Sequence, residues 1–292
     1  MGEAIRMGEV RTNGVRLKVA EAGPADGPLA ILLHGFPEDW RGWRRQIGPL
    51  ADAGFRVLAP DQRGYGGSDK PAGVAPYALD TLADDVVGLI DATGRPRASL
   101  VGHDWGGVVA WRVATRDPGR VDRLAILNAP HPDLTRREFF GSPRQLLKSW
   151  YVLAFQVPRL PEAFLRRKDW RALAGSLRDT SRPGTFSDAD LDAYREAWSR
   201  PGAITAMLNW YRAFLRLGPA ADPKARVAVP TRILWGVRDA ALEPALAEAS
   251  LARCDRGRLE FFDEATHWLH HEEPGRVADR LAAFLAAGGA EA

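Results

Sequence analysis

Apolar positions along the chain fall into short continuous runs separated by stretches at helical spacing. Leu29 to Leu33 is unbroken apolar sequence, the pattern of a strand covered on both faces. Val15 to Ala22 alternates instead, and the Asn13-Gly14 pair before it is a strong hairpin signal. The chain is therefore expected to open with an antiparallel pair at the edge of a sheet. Further short strands are predicted at Phe55 to Ala59, Arg97 to Val101, Val121 to Leu127, Arg232 to Trp235 and Leu259 to Phe262. Helical spacing fills the gaps: from about Arg41, from Leu79 to Ala92, from Val109 to Ala114, and from Glu273 to Leu285. Alternation of this kind predicts an α/β fold, with a mostly parallel central sheet and helices on both faces.

Between Asp133 and about Pro219 the alternation stops. The spacing there is helical, including Ser142 to Phe155, Asp188 to Trp198 and Ile204 to Leu217, with many Trp and Tyr residues. We expect an inserted helical cap, residues 134–219, over the carboxyl ends of the strands where open α/β sheets bind ligands. Residues 1–133 and 220–292 would form the core, and the Ala-rich tail is expected to fray near Gly288.

Composition narrows the class. The 292 residues suit one α/β core with an insertion, and 46% hydrophobic against 26% charged residues suffice for a sizeable buried core. Forty basic and 37 acidic residues leave a net charge of +3 with no basic run of five, which argues against a nucleic-acid partner. The one cysteine, Cys254, excludes an intrachain disulfide and lacks metal-ligand spacing. Met1 to Val10 has no signal-peptide core, and no run of about 18 apolar residues occurs. A cytoplasmic protein without a membrane partner is expected; monomer and homodimer are both compatible with the sequence.

The chemistry centres on Val101-Gly102-His103-Asp104-Trp105-Gly106-Gly107-Val108, where an apolar strand meets a helix. This is a G-x-nucleophile-x-G elbow in which Asp replaces the usual Ser. A carboxylate is anionic at neutral pH and can displace at a saturated carbon, giving an alkyl ester that must then be hydrolysed. The competing reading is an Asp that merely caps the helix. Asp239 follows the penultimate strand and His267 the last, so Asp104, Asp239 and His267 keep the nucleophile, acid, base order of this elbow fold. His103 reads as structural, and His270 and His271 lie too far into the following helix to compete. The backbone N–H groups of Phe36 and Trp105 are expected to form the oxyanion hole.

These segments resemble the epoxide hydrolases of the α/β-hydrolase superfamily. The matching stretches are His34-Gly35-Phe36-Pro37-Glu38, Asp61-Gln62-Arg63-Gly64-Tyr65-Gly66, Gly102 to Gly107, Trp235-Gly236 through Asp239, and His267-Trp268. The resemblance implies that Tyr151 and Tyr211, at the family's two ring-opening positions, give a proton to the epoxide oxygen, and that Phe36-Pro37 is a cis bond. A weak acid is what a departing alkoxide needs. Tyr194 lacks that context and reads as structural. A small apolar epoxide is the implied substrate, and no metal or organic cofactor is implied.

Elbow and triad are shared with haloalkane and haloacid dehalogenases, which are the nearest alternative. Against them, Trp105 and Val108 stand where a fluoroacetate-type enzyme would need arginines, and Phe36 where a haloalkane-type enzyme would need Asn. An alternative of another class is a ligand-binding sensor on a hydrolase scaffold; the intact triad argues against it.

Overall fold

The computed structural model describes residues 5–132, 134, 143–218 and 225–287. Its eight-stranded sheet has the order β1-β2-β4-β3-β5-β6-β7-β8. The strands are β1 (Arg6–Thr12), β2 (Val15–Ala22), β3 (Leu29–Leu33), β4 (Arg56–Pro60), β5 (Ala98–His103), β6 (Val121–Leu127), β7 (Thr231–Gly236) and β8 (Gly257–Phe262). β1 pairs antiparallel with β2 across the Asn13-Gly14 turn, β2 antiparallel with β4, and the other pairs are parallel. The expected edge hairpin and parallel centre are thus both present.

Helices α1 (Arg44–Asp52), α2 (Leu79–Ala92) and α3 (Trp105–Arg116) follow β3, β4 and β5. Two apolar layers cover the sheet. On one face, Ile47 and Leu50 of α1 meet Leu281 and Phe284 of the C-terminal helix; on the other, α2 and α3 contribute Leu89, Ile90, Val109 and Trp111. β3 is buried at every position, as its unbroken apolar sequence predicts, and β5 is equally buried although it carries Ser99 and His103.

Helices α4 (Pro143–Lys148), α5 (Trp150–Ala154), α6 (Leu160–Asp179), α7 (Asp188–Ser199) and α8 (Ala203–Leu217) intervene between β6 and β7. The expected continuous helix from Ser142 to Phe155 is broken at Ser149, whose backbone leaves helical angles; Ser142 itself lies outside the described residues. α6 is interrupted from Arg167 to Trp170, where three consecutive residues have positive φ. The expected cap boundaries at 133, 219 and 220, and the tail from Gly288, also lie outside the described residues. After β7 come α9 (Ala245–Leu251), α10 (Leu269–Glu272) and α11 (Pro274–Ala286). Among the described residues no helix is long and apolar enough to cross a membrane.

Candidate active site

Parallel strands deliver their carboxyl ends to one rim, and the loop after each carries one part of the site. β3 leads to Phe36, β5 to Asp104, β6 to Asn128, β7 to Asp239 and β8 to His267. Asp104 has φ 49° and ψ −123°, a conformation that costs a non-glycine residue about 1–3 kcal/mol. Close packing sustains it. A Cβ on Gly106 would lie 2.1 Å from the Leu33 carbonyl oxygen, and one on Gly35 would lie 2.5 Å from Asp104 Oδ1. Only glycines let the β3 loop and the start of α3 approach so closely.

Asp104 occupies the N-cap position of α3, yet its side chain makes no capping bond. Instead Oδ1 accepts the Phe36 N–H at 2.7 Å, from a loop on another strand. That geometry disposes of the plain helix-cap reading. The Phe36–Pro37 peptide is cis. Burial raises the Asp104 pKa, against the opposing pull of His267 and of the Phe36 and Trp105 backbone N–H groups.

His267 stands between the two acids. Its Nδ1 lies 2.7 Å from Asp239 Oδ2 and its Nε2 3.7 Å from Asp104 Oδ2. Burial opposes the imidazolium, but the charges of Asp239 and Asp104 outweigh it and raise the His267 pKa to about 9. Asp239 is fully enclosed and stays ionised. Burial is overcome there by His267 and by hydrogen bonds, and its pKa is lowered. The Ala241 and Leu242 N–H groups donate to its Oδ1 at 2.7 and 2.9 Å, and Asn128 Nδ2 donates to Oδ2 at 2.7 Å.

Asn128 has no role in the sequence reading. Its φ is 39°, and its Oδ1 accepts the Gly236 N–H at 2.8 Å, so it ties the end of β7 to Asp239. The only sequence signal for it is a polar residue just beyond an apolar strand.

Three other histidines pack near His267 without replacing it. His103 Nε2 lies 2.9 Å from the His267 carbonyl oxygen, which holds the loop of the catalytic candidate. His271 Nε2 lies 2.7 Å from Oε1 of the buried Glu38, and Tyr194 donates its hydroxyl to the same oxygen at 2.6 Å. His270 packs beside them, 3.4 Å from Glu38 Oε2. None of the three rings reaches Asp104 in place of His267.

Tyr151 on α5 and Tyr211 on α8 come to the same cavity as Asp104, Asp239 and His267. The ring centroids of the two tyrosines are 6.0 Å apart, and Phe36 and Trp105 meet Tyr211 edge-on at 5.3 and 4.9 Å. The residues around Tyr211 are anchored. Trp210 Nε1 donates to the Arg63 carbonyl at 3.0 Å, Asn209 Nδ2 to the Gly73 carbonyl at 2.8 Å, and Arg212 Nη1 to Glu162 Oε1 at 2.7 Å. Gln156 Nε2, just beyond α5, donates to the Tyr211 carbonyl at 3.2 Å. Burial pushes both phenol pKa values upward, so each hydroxyl keeps its proton near neutrality. The cavity measures about 830 Å³, within the range of drug-sized ligand sites.

Comparison with known proteins places the whole chain in a family. The family model described as alpha/beta hydrolase fold matches residues 28–274. The chain is 48% identical over 276 residues to the AB hydrolase superfamily protein YfhM of Bacillus subtilis, a match covering 94% of this chain and 96% of that one. It is 38% identical to Epoxide hydrolase A of Mycobacterium tuberculosis, again over 94% and 96% of the two chains. Among solved structures, Bacillus megaterium epoxide hydrolase in complex with an inhibitor superposes with a TM-score of 0.86 at 29% identity, covering 96% of this chain and all of that one. With the family model spanning most of its length and such relatives matched almost end to end, the chain belongs to the α/β-hydrolase family and is an epoxide-hydrolase-like member of it.

Proposed function

We propose that the protein opens epoxides to vicinal diols through an ester on Asp104. The observation that carries this reading is that the buried phenol of Tyr211, the half-buried phenol of Tyr151 and the half-buried carboxylate of Asp104 line a single cavity, with His267 and Asp239 beside them. Tyr151 and Tyr211 hold the epoxide oxygen. Asp104 Oδ2 attacks a ring carbon, the carbon–oxygen bond breaks, and a tyrosine proton passes to the departing alkoxide. Oδ1 stays on the Phe36 N–H and becomes the carbonyl oxygen of the hydroxyalkyl ester.

In the second step neutral His267, oriented by Asp239, takes a proton from water, which attacks the ester carbonyl. The developing oxyanion is held by the N–H groups of Phe36 and Trp105. Collapse expels the diol alkoxide, which takes up a proton, and restores the Asp104 carboxylate. We assign the helices between β6 and β7 to a cap that carries the two phenols over this rim. Names of relatives such as Epoxide hydrolase 4 of Mus musculus, 36% identical to the chain, support the substrate class.

The protonated His267 of the free enzyme is consistent with this sequence of steps. Its pKa near 9 depends in part on the negative charge of Asp104, and esterification removes that charge. The base is thereby released when it is needed, and the proton it gives up restores the tyrosine that protonated the alkoxide. In single-turnover measurements the rate of ester hydrolysis should rise with pH along an apparent pKa below that of His267 in the free enzyme. An equal or higher value would contradict the scheme.

Tyr151→Phe and Tyr211→Phe should each slow ester formation by about 10²-fold or more, the scale of a lost general acid. Full activity in both variants, or halide release from a chloroalkane without diol from styrene oxide, would favour a dehalogenase.

A further inference from the structure

The nucleophile and both phenols line a second, much smaller cavity as well as the main one. Asp104, Tyr151 and Tyr211 border both spaces. The second is walled by Val108, Ala129, Pro130, Val152 and Phe214 and measures about 60 Å³, against about 830 Å³ for the first. A single water needs roughly 10–15 Å³ by the same kind of measure, so the small cavity takes only a few heavy atoms. Its walls are firm. Val108 belongs to the elbow helix, Ala129 lies two residues past β6 and is fully buried, and Phe214 meets Trp105 edge-on at 5.5 Å.

The large cavity has the opposite character. Trp150, Leu160 and Phe164 line it and are also 67%, 69% and 60% exposed, so its apolar wall continues to the molecular surface. A long apolar substituent finds a continuous path there, and nothing comparable exists on the small side among the described residues.

An epoxide whose oxygen rests on the two phenols and whose ring faces Asp104 must distribute its substituents between these two spaces. We propose that the protein is selective for terminal epoxides bearing one bulky apolar substituent, with the large cavity taking that substituent and the small one taking hydrogen or methyl. This rests on Asp104, Tyr151 and Tyr211 acting as the ring-opening groups. It also replaces the small substrate expected from sequence with a larger and one-sided one.

Two isomeric epoxides of equal carbon count separate shape from hydrophobicity. With the full-length wild-type enzyme, kcat/KM for 1,2-epoxydodecane should exceed that for trans-6,7-epoxydodecane by about 10²-fold or more, since even one misfitting methylene is worth about 10–200-fold. Val108→Ala and Phe214→Ala, which enlarge the small cavity, should each raise turnover of the internal isomer and lower the terminal-to-internal ratio of kcat/KM by about 10-fold or more. If Phe214→Ala does not fold, Val108→Ala carries the test. Equal kcat/KM for the two isomers, or no gain in the enlarged variants, would overturn the selectivity while leaving epoxide hydrolysis intact. Absence of diol from both isomers would instead overturn the proposed function.

Discussion

His267→Gln should convert the enzyme into a trap for its own intermediate. The first step needs only the Asp104 carboxylate and the tyrosine protons, so ester formation should persist without the imidazole, whose Nε2 lies 3.7 Å from Oδ2. The second step loses its base, and hydrolysis should slow by about 10²–10⁴-fold. Ester should therefore accumulate within one turnover. Intact-protein mass spectrometry would show an increase equal to the mass of the substrate, located on the peptide containing Asp104. Steady turnover in the variant, or no adduct, would rule out His267 as the base of an ester mechanism.

Asp104→Ala should abolish diol formation outright, by on the order of 10⁶-fold, the scale expected when a covalent nucleophile is removed. The expectation is specific to covalent catalysis: an enzyme that only activated water with His267 would retain part of its rate. In wild type, one turnover in isotopically labelled water should leave label in the Asp104 carboxylate, because the attacking water oxygen stays on the enzyme after the ester collapses. Label found only in the diol would contradict the ester route. The variant should remain folded, since Asp104 is a half-buried carboxylate whose pKa is raised by desolvation, and its removal takes an unfavourable charge out of the site.

Much of this was legible in the chain. Strand β3 is apolar without interruption because both its faces are covered, and glycines mark the loops that follow β3 and β5, so the rim is readable from the chain. Asp104, Asp239 and His267 stand out because each lies past the end of a strand on that rim. Other features left little trace. Asn128 looks like any polar loop residue, and its bonds to Gly236 and Asp239 exist only because β6 and β7 are neighbours. The interruption of α6 at Arg167–Trp170 carries no proline or glycine and was invisible in the spacing. Glu38, His270 and His271 carry no sequence signal of mutual contact, yet they are buried around one another, since mutual pairing is the condition for enclosing such groups.

By itself the sequence determined the order of strands and helices, the residue types on the rim and the elbow that exposes Asp104, because hydrophobic period and turn chemistry are local properties of the chain. Only the tertiary structure decided which of those residues meet, and at what distance. Phe36 and Asp104 are 68 positions apart, and their 2.7 Å contact depends on parallel pairing of β3 with β5 and on glycines that admit no side chain between them. The same holds for the two cavities beside Asp104. Their volumes are what remains after helices from distant parts of the chain have packed, and no local pattern encodes a space.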